Sequence, residues 1–374
     1  MVGRVCSVCV MDESNPNIKF DSVGQCDCCR DARQRMPHVW FPGADGRAQL
    51  EEFVAALRLR GRGSPYDAMI GLSGGVDSSY LAYVLRREFG LRLLAVHVDG
   101  GWNSEAAVSN IELLVRRLEI DLHTYVVEWS EMRDLQLAFL RASVLNQDIP
   151  QDHAFFATLY RTAVSYRISN FLSGINFSSE SVSPRNWGYP AIDGRHVKAI
   201  HTQFGQQPLT SFPIMPAREY LWLTRFRRQL TISHPLNVLP YDKTQAKQIL
   251  ISELGYKDYG SKHSESRFTK FYQELYLPQR YGFDKRRLHL SSQIVSGQVS
   301  RAAALLELES PICEPVQAAR DLRYIAKKLA ITPTELGRIM RLPTIEHTVY
   351  PNNLRLFKLG NRLNQVISVR RNFR

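Results

Sequence analysis

The sequence lacks any apolar run of about 18 residues, the minimum for a helix that crosses a membrane. Its first residues, MVGRVCSVC, also lack the apolar stretch of a secretory signal. Internal repeats and low-complexity segments are absent, which argues against repeat architectures. We therefore expect a globular, cytoplasmic protein without a membrane span.

Cysteine is scarce beyond residue 29. Of the 6 cysteines, only Cys313 lies there, in the segment SPICEPV. A glutaminase needs a nucleophilic cysteine, either at the mature N-terminus or on a glycine-flanked elbow between a strand and a helix. Position 2 is Val2, and prolines lie on both sides of Cys313. We therefore expect that this chain does not hydrolyse glutamine itself.

The other cysteines are clustered at the N-terminus. Cys6 and Cys9 form one C-x2-C pair, and Cys26 and Cys29 form a second, with 16 residues between the pairs. This spacing is typical of a structural zinc site with four thiolates. Disulfides are the alternative, which the missing secretory signal disfavours. Cys28 is a spare thiol inside the second pair, so the choice of ligands there depends on spacing alone.

The balance of charge is basic. The chain has 374 residues, with 48 Lys and Arg against 36 Asp and Glu, a net charge of +12. This favours anionic partners such as nucleotides, nucleotide-linked sugars, nucleic acids or a membrane surface. The length predicts two or three domains. We place them at residues 1–45 (a cysteine module), 46–240 (an α/β domain) and 241–374 (a mainly helical, basic region).

One turn carries the strongest functional signal. An apolar strand, predicted from Ala68 to Leu72, leads into a turn and then a helix that begins near Ser78. Glycines in such a turn expose backbone N–H groups, and the positive end of the helix favours an anion. A Walker A loop would have a lysine here, but this turn has Asp77, a carboxylate suited to a Mg²⁺ ion that bridges phosphates. The residues predicted to bind phosphate are Ser73, Gly74, Gly75, Val76, Asp77, Ser78 and Ser79.

From Tyr66 onward, strand and helix patterns alternate, which predicts a doubly wound, mostly parallel α/β sheet. Ligands of such sheets lie at the carboxyl ends of the strands. Two residues there, Asp99 and Gly174, are predicted to contact ATP or pyrophosphate. Four further candidates for Mg²⁺ or substrate binding are Asp152, His153, Asn176 and Glu180. The alternative for Asp152 is a helix N-cap, and for His153 a structural role.

Basic and aromatic residues are concentrated in two segments of the C-terminal region, Tyr256–Gln273 and Arg280–Arg287. Lys262, Lys285 and Arg286 could clamp phosphates or stabilise charge in the reaction. The alternative for each is a solvated basic face. The following segment HLSSQIVSGQVSRAAALLELE is expected to be structural, as two helices joined by a glycine-containing turn.

The motif LSGGVDSS resembles the PP-loop of ATP pyrophosphatases, which belong to the HUP-like α/β folds. Together with CSVCVMD, DGGWNSEAAVSNI, QDHAFFATLYR, SGINFSSES, YGSKHSESRFTKFYQ and RYGFDKRR, it resembles the N-acetyl sugar amidotransferases of the WbpG and PseA type. Ser264 and Ala302-Ala303 depart from that family's pattern, where an aromatic and acidic residues are expected.

The resemblance implies that ATP and Mg²⁺ activate the acetamido group of a nucleotide-linked sugar. Ammonia then converts it to an acetamidino group, for O-antigen, surface polysaccharide or flagellar sugars. It also implies a separate glutaminase with a cyclase-like subunit, similar to the pair that makes imidazole glycerol phosphate.

Two other functions fit some of the same features. A PP-loop enzyme with a cysteine module could thiolate tRNA, although only Cys313 is available to carry sulfur. A non-enzymatic, zinc-dependent nucleic-acid-binding protein would explain the charge but leave the turn unexplained. We therefore expect no stable nucleic-acid partner.

Overall fold

The computed structural model describes residues 3–15, 17–184, 189–226, 230–258 and 265–357. Their strands are β1 (Ala68–Gly71), β2 (Leu93–Asp99), β3 (Asp121–Val126), β4 (Asn170–Leu172) and β5 (Thr231–Ser233). The helices up to β5 are α1 (Asp27–Val39), α2 (Ala44–Arg60), α3 (Val76–Arg87), α4 (Glu105–Leu118), α5 (Trp129–Ala142), α6 (Ile149–Ser165), α7 (Phe177–Glu180), α8 (Gly194–Phe204) and α9 (Ala217–Leu221).

The later helices are α10 (Lys243–Leu254), α11 (Arg267–Phe271), α12 (Leu277–Tyr281), α13 (Arg286–Val295), α14 (Arg301–Glu309), α15 (Pro315–Lys328) and α16 (Pro333–Ile339). Trp222–Phe226 and Tyr272–Tyr276 are π-helical, and Pro235–Val238 and His347–Val349 are 3₁₀-helical. No helix among these elements has the length and apolar character needed to cross a membrane.

The five strands form one parallel sheet in the order β3-β2-β1-β4-β5. The chain builds outward from β1 to β2 and β3, then returns to place β4 on the other side of β1. The carboxyl ends of β1 and β4 therefore flank the point where the strand order reverses, which is where such sheets bind ligands. The doubly wound α/β fold predicted from the sequence is confirmed.

Both faces of the sheet are covered, which explains the near-continuous apolar sequences of β1 and β2. Ala68 and Ile70 point to one face, in a core that also includes residues of α2, α3, α4 and α10. Met69 points to the other face, against Leu159 and Ala163 of α6. The alternation within β1 thus orients the strand and fixes the direction in which its carboxyl end delivers the following turn.

The N-terminal cysteine module and the C-terminal helices share one core. Cys6, Met11 and Cys29 belong to the same buried cluster as Phe268 and Ile325. Arg301 of α14 donates to the carbonyl oxygens of Cys6 (2.8 Å) and Cys9 (3.1 Å). The α13–α14 segment, expected to be structural, therefore holds the module in place.

Some boundaries differ from the sequence prediction. Strand β3 ends at Val126, and α5 begins at Trp129 because the Glu128 side chain caps it. Strand β5 has only three residues and no alternating pattern, so the sequence did not indicate it. Helix α6 begins at Ile149, so Asp152 lies in its first turn and the N-cap reading of Asp152 is wrong.

Candidate phosphate-binding site and metal centre

The turn between β1 and α3 has the geometry of an anion site. Gly74 has a φ of +82°, and a methyl group there would lie 2.5 Å from the Ala107 carbonyl oxygen, so glycine is required. The N–H of Gly75 donates to Ser73 Oγ over 3.3 Å. Helix α3 starts at Val76, and its first N–H groups lack partners within the helix. These N–H groups and the helix dipole favour a phosphate group at the turn.

The loop after β4 closes on the same turn. A methyl group on Gly174 would lie 2.8 Å from the backbone nitrogen of Ser78. Any side chain at position 174 would therefore push the loop away from the start of α3. The structure places Gly174 beside the turn, at the edge where the sequence expected it.

Tyr241 holds the Asp77 carboxylate at the phosphate turn. The Tyr241 hydroxyl donates to Asp77. Tyr241 is buried, and its pKa is raised well above the usual value by burial and by the charges of Asp77 and Glu180. Its hydroxyl therefore keeps its proton and holds Asp77 in place. A carboxylate in a phosphate turn is the kind of ligand that Mg²⁺ uses with phosphates, so Asp77 fits this ion.

The C-terminal region covers the turn from the other side. The carbonyl of Glu265 accepts from Ser104 N (2.7 Å), and Arg267 N donates to the Trp102 carbonyl (2.8 Å). A methyl group on Gly75 would overlap the Glu265 carboxylate. Glu265 was not predicted, because no local pattern links it to a turn so distant in sequence. Lys262 lies outside the described residues.

Asp99 organises the turn after β2. Its Oδ1 accepts from Gly101 N (2.8 Å) and from Asn103 Nδ2 (3.0 Å). The ring of His97 links this turn to the end of β1, since His97 Nδ1 lies 2.8 Å from the Leu72 carbonyl and Nε2 lies 3.0 Å from Asn103. Asp99 thus lies at the expected edge, with Oδ1 bonded within its own turn.

Two acidic residues, Asp148 and Asp152, lie at the start of α6. Because helices of such a sheet run antiparallel to its strands, this helix end faces the carboxyl edge. Thr269 donates to Asp148 over 3.0 Å. Burial raises the pKa of Asp148 and that of Asp152, and the positive charge of Lys285 offsets part of each increase. Asp152 is exposed to solvent although surrounding protein atoms raise its pKa, so its carboxylate is accessible.

Three of the predicted site residues, His153, Arg286 and Asn176, form hydrogen bonds or ion pairs with other parts of the protein. His153 is fully buried, its Nδ1 lies 2.6 Å from the Ala191 carbonyl, and its Nε2 accepts from Met215 N (2.9 Å). Burial lowers the pKa of His153 to about 4. Both ring nitrogens are used, which fits the structural alternative rather than an acid–base role.

Arg286 pairs with Asp284 at 2.7 Å and donates to the carbonyl of Ser310 (3.0 Å). Arg286 is therefore engaged within the protein, and its predicted role in clamping phosphates or reaction charge stays a prediction. Asn176 is buried and caps α7, since its Oδ1 accepts from Ser179 N (3.0 Å) and from the Ser178 hydroxyl (2.8 Å). Its side-chain oxygen is thus occupied by the cap and does not reach outward as a ligand would.

The four predicted cysteines come together. The Sγ atoms of Cys6, Cys9, Cys26 and Cys29 all lie within 4.8 Å of one another, and all four residues are buried. Cys6 Sγ lies 3.7 Å from Cys29 Sγ, and Cys9 Sγ lies 3.5 Å from Cys26 Sγ. Four thiolates around a zinc ion at about 2.3 Å would be about 3.8 Å apart. The donor set therefore fits a tetrahedral metal ion, and Cys28 is not part of it.

Backbone N–H groups support these thiolates. Cys6 Sγ accepts from Cys9 N (3.4 Å) and from Cys26 N (3.1 Å), and Cys26 Sγ accepts from Cys29 N (3.4 Å). Such bonds stabilise the deprotonated sulfur that binds metal. Four ligands leave no open position, so a metal here would be structural.

Replacement of Cys26 by Ser is expected to abolish metal binding and lower the melting temperature of the protein. A structural zinc site contributes roughly 10–16 kcal/mol of apparent folding free energy. Cys28→Ser is the matched control, because Cys28 lies outside the four-sulfur group. Elemental analysis and thermal unfolding of both variants test this. Equal metal loss in the two variants would contradict the assignment of ligands.

Comparison with known proteins supports the sequence resemblance in one region. The family of the LPS biosynthesis protein WbpG-like, C-terminal domain, matches residues 265–364. Two curated relatives share 33% identity with this chain. One is the tRNA(Ile)-lysidine synthase of Chlamydia pneumoniae, over 30% of this chain and 32% of that protein. The other is the glutamine-hydrolysing GMP synthase of Pyrobaculum aerophilum, over 24% and 16%. The chain thus spans a third or less of these relatives.

Solved structures give weaker likenesses. An NH3-dependent NAD synthetase from Campylobacter jejuni is 13% identical with a TM-score of 0.30, over 80% of this chain and 98% of that one. An NMN synthetase from Francisella tularensis is 16% identical with a TM-score of 0.35, over 80% and 98%. These scores are too low to carry an argument. The resemblance predicted from the sequence is confirmed by the family match: residues 265–364 match the model of the WbpG-like C-terminal domain.

Proposed function

We propose that the protein is an ATP-dependent amidotransferase that forms AMP and pyrophosphate. Its substrate is the acetamido group of a nucleotide-linked sugar, which becomes an acetamidino group for O-antigen, related surface polysaccharide or flagellar sugars. The observation that carries the proposal is the turn Ser73–Ser79 at the β1/β4 switch point. In this turn Asp77 takes the place of the lysine of a Walker A loop. The match to a WbpG-like domain supports the sugar pathway.

The chemistry requires activation because an amide oxygen is a poor leaving group. In the proposed reaction, the acetamido oxygen attacks the α-phosphorus of ATP, and pyrophosphate leaves with the electrons of the broken P–O bond. Ammonia then attacks the imidate carbon. The C–O bond breaks toward AMP, and the new nitrogen loses a proton as the acetamidino group forms.

The phosphate turn has the role of holding the departing pyrophosphate. The N–H groups of the first turn of α3 stabilise the charge that develops on it. Asp77 and Glu180 would hold Mg²⁺, which supplies neutralisation of phosphate charge when bound. Tyr241 fixes Asp77 for this purpose through its hydroxyl bond.

Lys285 and Asp152 suit the second half of the reaction better than phosphate binding. The positive charge of Lys285 acts on Asp148 and Asp152 at the start of α6, beside the carboxyl edge of the sheet. A carboxylate with a raised pKa is a better proton acceptor near neutral pH than an ordinary one. In this proposal Asp152 accepts the proton from the attacking nitrogen, and Lys285 keeps enough of it ionised to act.

Ammonia is proposed to come from a separate glutaminase with a cyclase-like subunit. Burial and the nearby charge of Glu274 raise the pKa of the Cys313 thiol. Thiolate is the nucleophilic form, so this environment disfavours both a glutaminase nucleophile and a persulfide carrier. Two acidic residues, Glu274 and Asp321, lie close to Cys313. Lys270 offsets their charge and lies 2.8 Å from Asp321.

Replacement of Asp77 by Asn is expected to reduce AMP formation by about 100–1,000-fold, the range seen when one charge-stabilising group is removed. Metal content at the cysteine site should not change. Tyr80→Phe is the matched control, since Tyr80 packs beside Tyr241 at a ring distance of 5.7 Å but is not its partner at Asp77. Production of AMP with Mg²⁺-ATP, ammonium and an acetamido sugar is measured; a fully active Asp77→Asn enzyme would reject the proposed site.

Replacement of Cys313 by Ser is expected to leave ammonium-dependent activity unchanged, because the protonated thiol has no role in the proposed reaction. The measurement is the rate of AMP formation with ammonium, alongside glutamate release from glutamine by the purified wild-type chain. Complete loss of activity in Cys313→Ser would support tRNA thiolation. Glutamate release by the wild-type chain alone would exclude the separate glutaminase.

A further inference from the structure

A cavity of about 260 Å³ is lined by the loop after β4, and Gly174 of this loop packs against the phosphate turn at Ser78. The loop after β4 and the end of β5 form one side of it, and residues of α1, α2 and the connection between them form the other. It is therefore built jointly by the α/β sheet and by the helix that starts at the cysteine module. Nothing in the motif pattern of the sequence indicated this arrangement.

The cavity borders the reaction site proposed above. Glu180 lines it, and the charge of Glu180 also acts on Tyr241, which holds Asp77. The same loop begins at Gly174, whose Cα is packed against the start of α3. A molecule in the cavity would thus have one end near the phosphate turn.

The walls combine apolar faces with unused polar atoms. Phe41, Phe53 and Phe177 line the cavity. Ser181 and Ser233 also line it and are 4% and 7% exposed, yet their hydroxyls have no hydrogen-bond partner among the described residues. An unpaired buried hydroxyl loses its hydrogen bonds to water without replacement, so such atoms are unusual unless a ligand or water completes them.

The third buried polar atom without a partner belongs to His234. His234 lines the cavity, and its Nδ1 is buried without a partner. Burial lowers the pKa of His234, so the ring is neutral. Two hydroxyls and one ring nitrogen match the mixed donors and acceptors of a hydroxyl-rich ring.

The rim of the cavity is basic. Arg35 and His38 are both exposed there. Arg35 donates to the Ser181 carbonyl over 2.8 Å, so its guanidinium is held close to one of the unpaired serines. Asp31 lies 3.0 Å from Arg35 but is itself solvent-exposed, so it offsets this charge only weakly. The rim is suited to an anionic group attached to whatever occupies the cavity.

We propose that this cavity binds the pyranose ring and acetamido group of a phosphate-linked sugar, with the phosphate at Arg35 and His38. The volume is slightly below the roughly 300–1,000 Å³ of typical small-molecule sites. That space suits one sugar ring and leaves the nucleotide part at the rim. The aromatic walls contact the apolar face of the ring, while Ser181, Ser233 and His234 bind its polar groups. This assignment rests on the proposed function and deepens it, because it gives the acceptor a site separate from that of ATP.

The test uses the full chain with UDP-N-acetylglucosamine as probe, in the presence of Mg²⁺ and a non-hydrolysable ATP analogue. Saturation-transfer NMR on the acetamido methyl group and titration calorimetry report binding. Loss of one hydrogen bond weakens binding about 3–10-fold, so Ser181→Ala with Ser233→Ala should weaken it about 10–100-fold. Binding of UDP alone should change little.

The same double variant should unfold at an equal or higher temperature, because it removes buried hydroxyls that have no partner in the free protein. Thr158→Val is the matched control. Thr158 of α6 is 5% exposed, its hydroxyl also lacks a partner, and it does not line the cavity. The control should keep both its stability and its affinity for the probe.

Absence of wild-type binding, or equal affinity in the double variant, overturns the proposal. Equal loss in Thr158→Val overturns it too, because the effect would then be general. AMP formation is assayed separately. If AMP forms but the serine variants bind and react normally, the cavity assignment fails and the reaction stands. If the probe binds through the serines but no acetamido sugar supports AMP formation, the reaction fails and the cavity assignment stands.

Discussion

Placement of β4 on the opposite side of β1 from β2 is the constraint on which the rest of the structure depends. It opens a crevice at the carboxyl ends of β1 and β4, where the Ser73–Ser79 turn meets the loop that begins at Gly174. Gly174 packs against the backbone of Ser78 and Gly74 packs against the backbone of Ala107, so a larger residue at either position would clash. The backbone can therefore approach a phosphate closely, and the fold fixes that approach before any ligand arrives.

The N-terminal and C-terminal parts of the chain complete this crevice from two directions. Glu265 reaches the phosphate turn, and its backbone pairs with the turn after β2. Helix α1, whose first turn holds Cys29, contributes Arg35 to the cavity rim. Because the cysteine module and the C-terminal helices share one core, metal binding, docking of these helices and the shape of the acceptor site are physically linked.

Features with local signals could be predicted from the sequence, and those created by distant contacts could not. The phosphate turn and the four metal ligands follow from spacing within short segments. The ion pair of Arg286 and the two backbone hydrogen bonds of His153 are tertiary contacts, which residue type alone does not indicate. Asp148 carried no motif, and its pKa is raised by burial, which only the tertiary structure reveals.

The central claim is that ATP activates an acetamido oxygen by transferring AMP to it. The most direct test supplies Mg²⁺-ATP, ammonium and an acetamido sugar whose carbonyl oxygen carries a heavy isotope, and analyses the products by mass spectrometry. The account predicts that the heavy oxygen appears in AMP and that the sugar exchanges this oxygen for an NH group. Heavy oxygen in inorganic phosphate, or AMP release with the label still in the sugar, would contradict it.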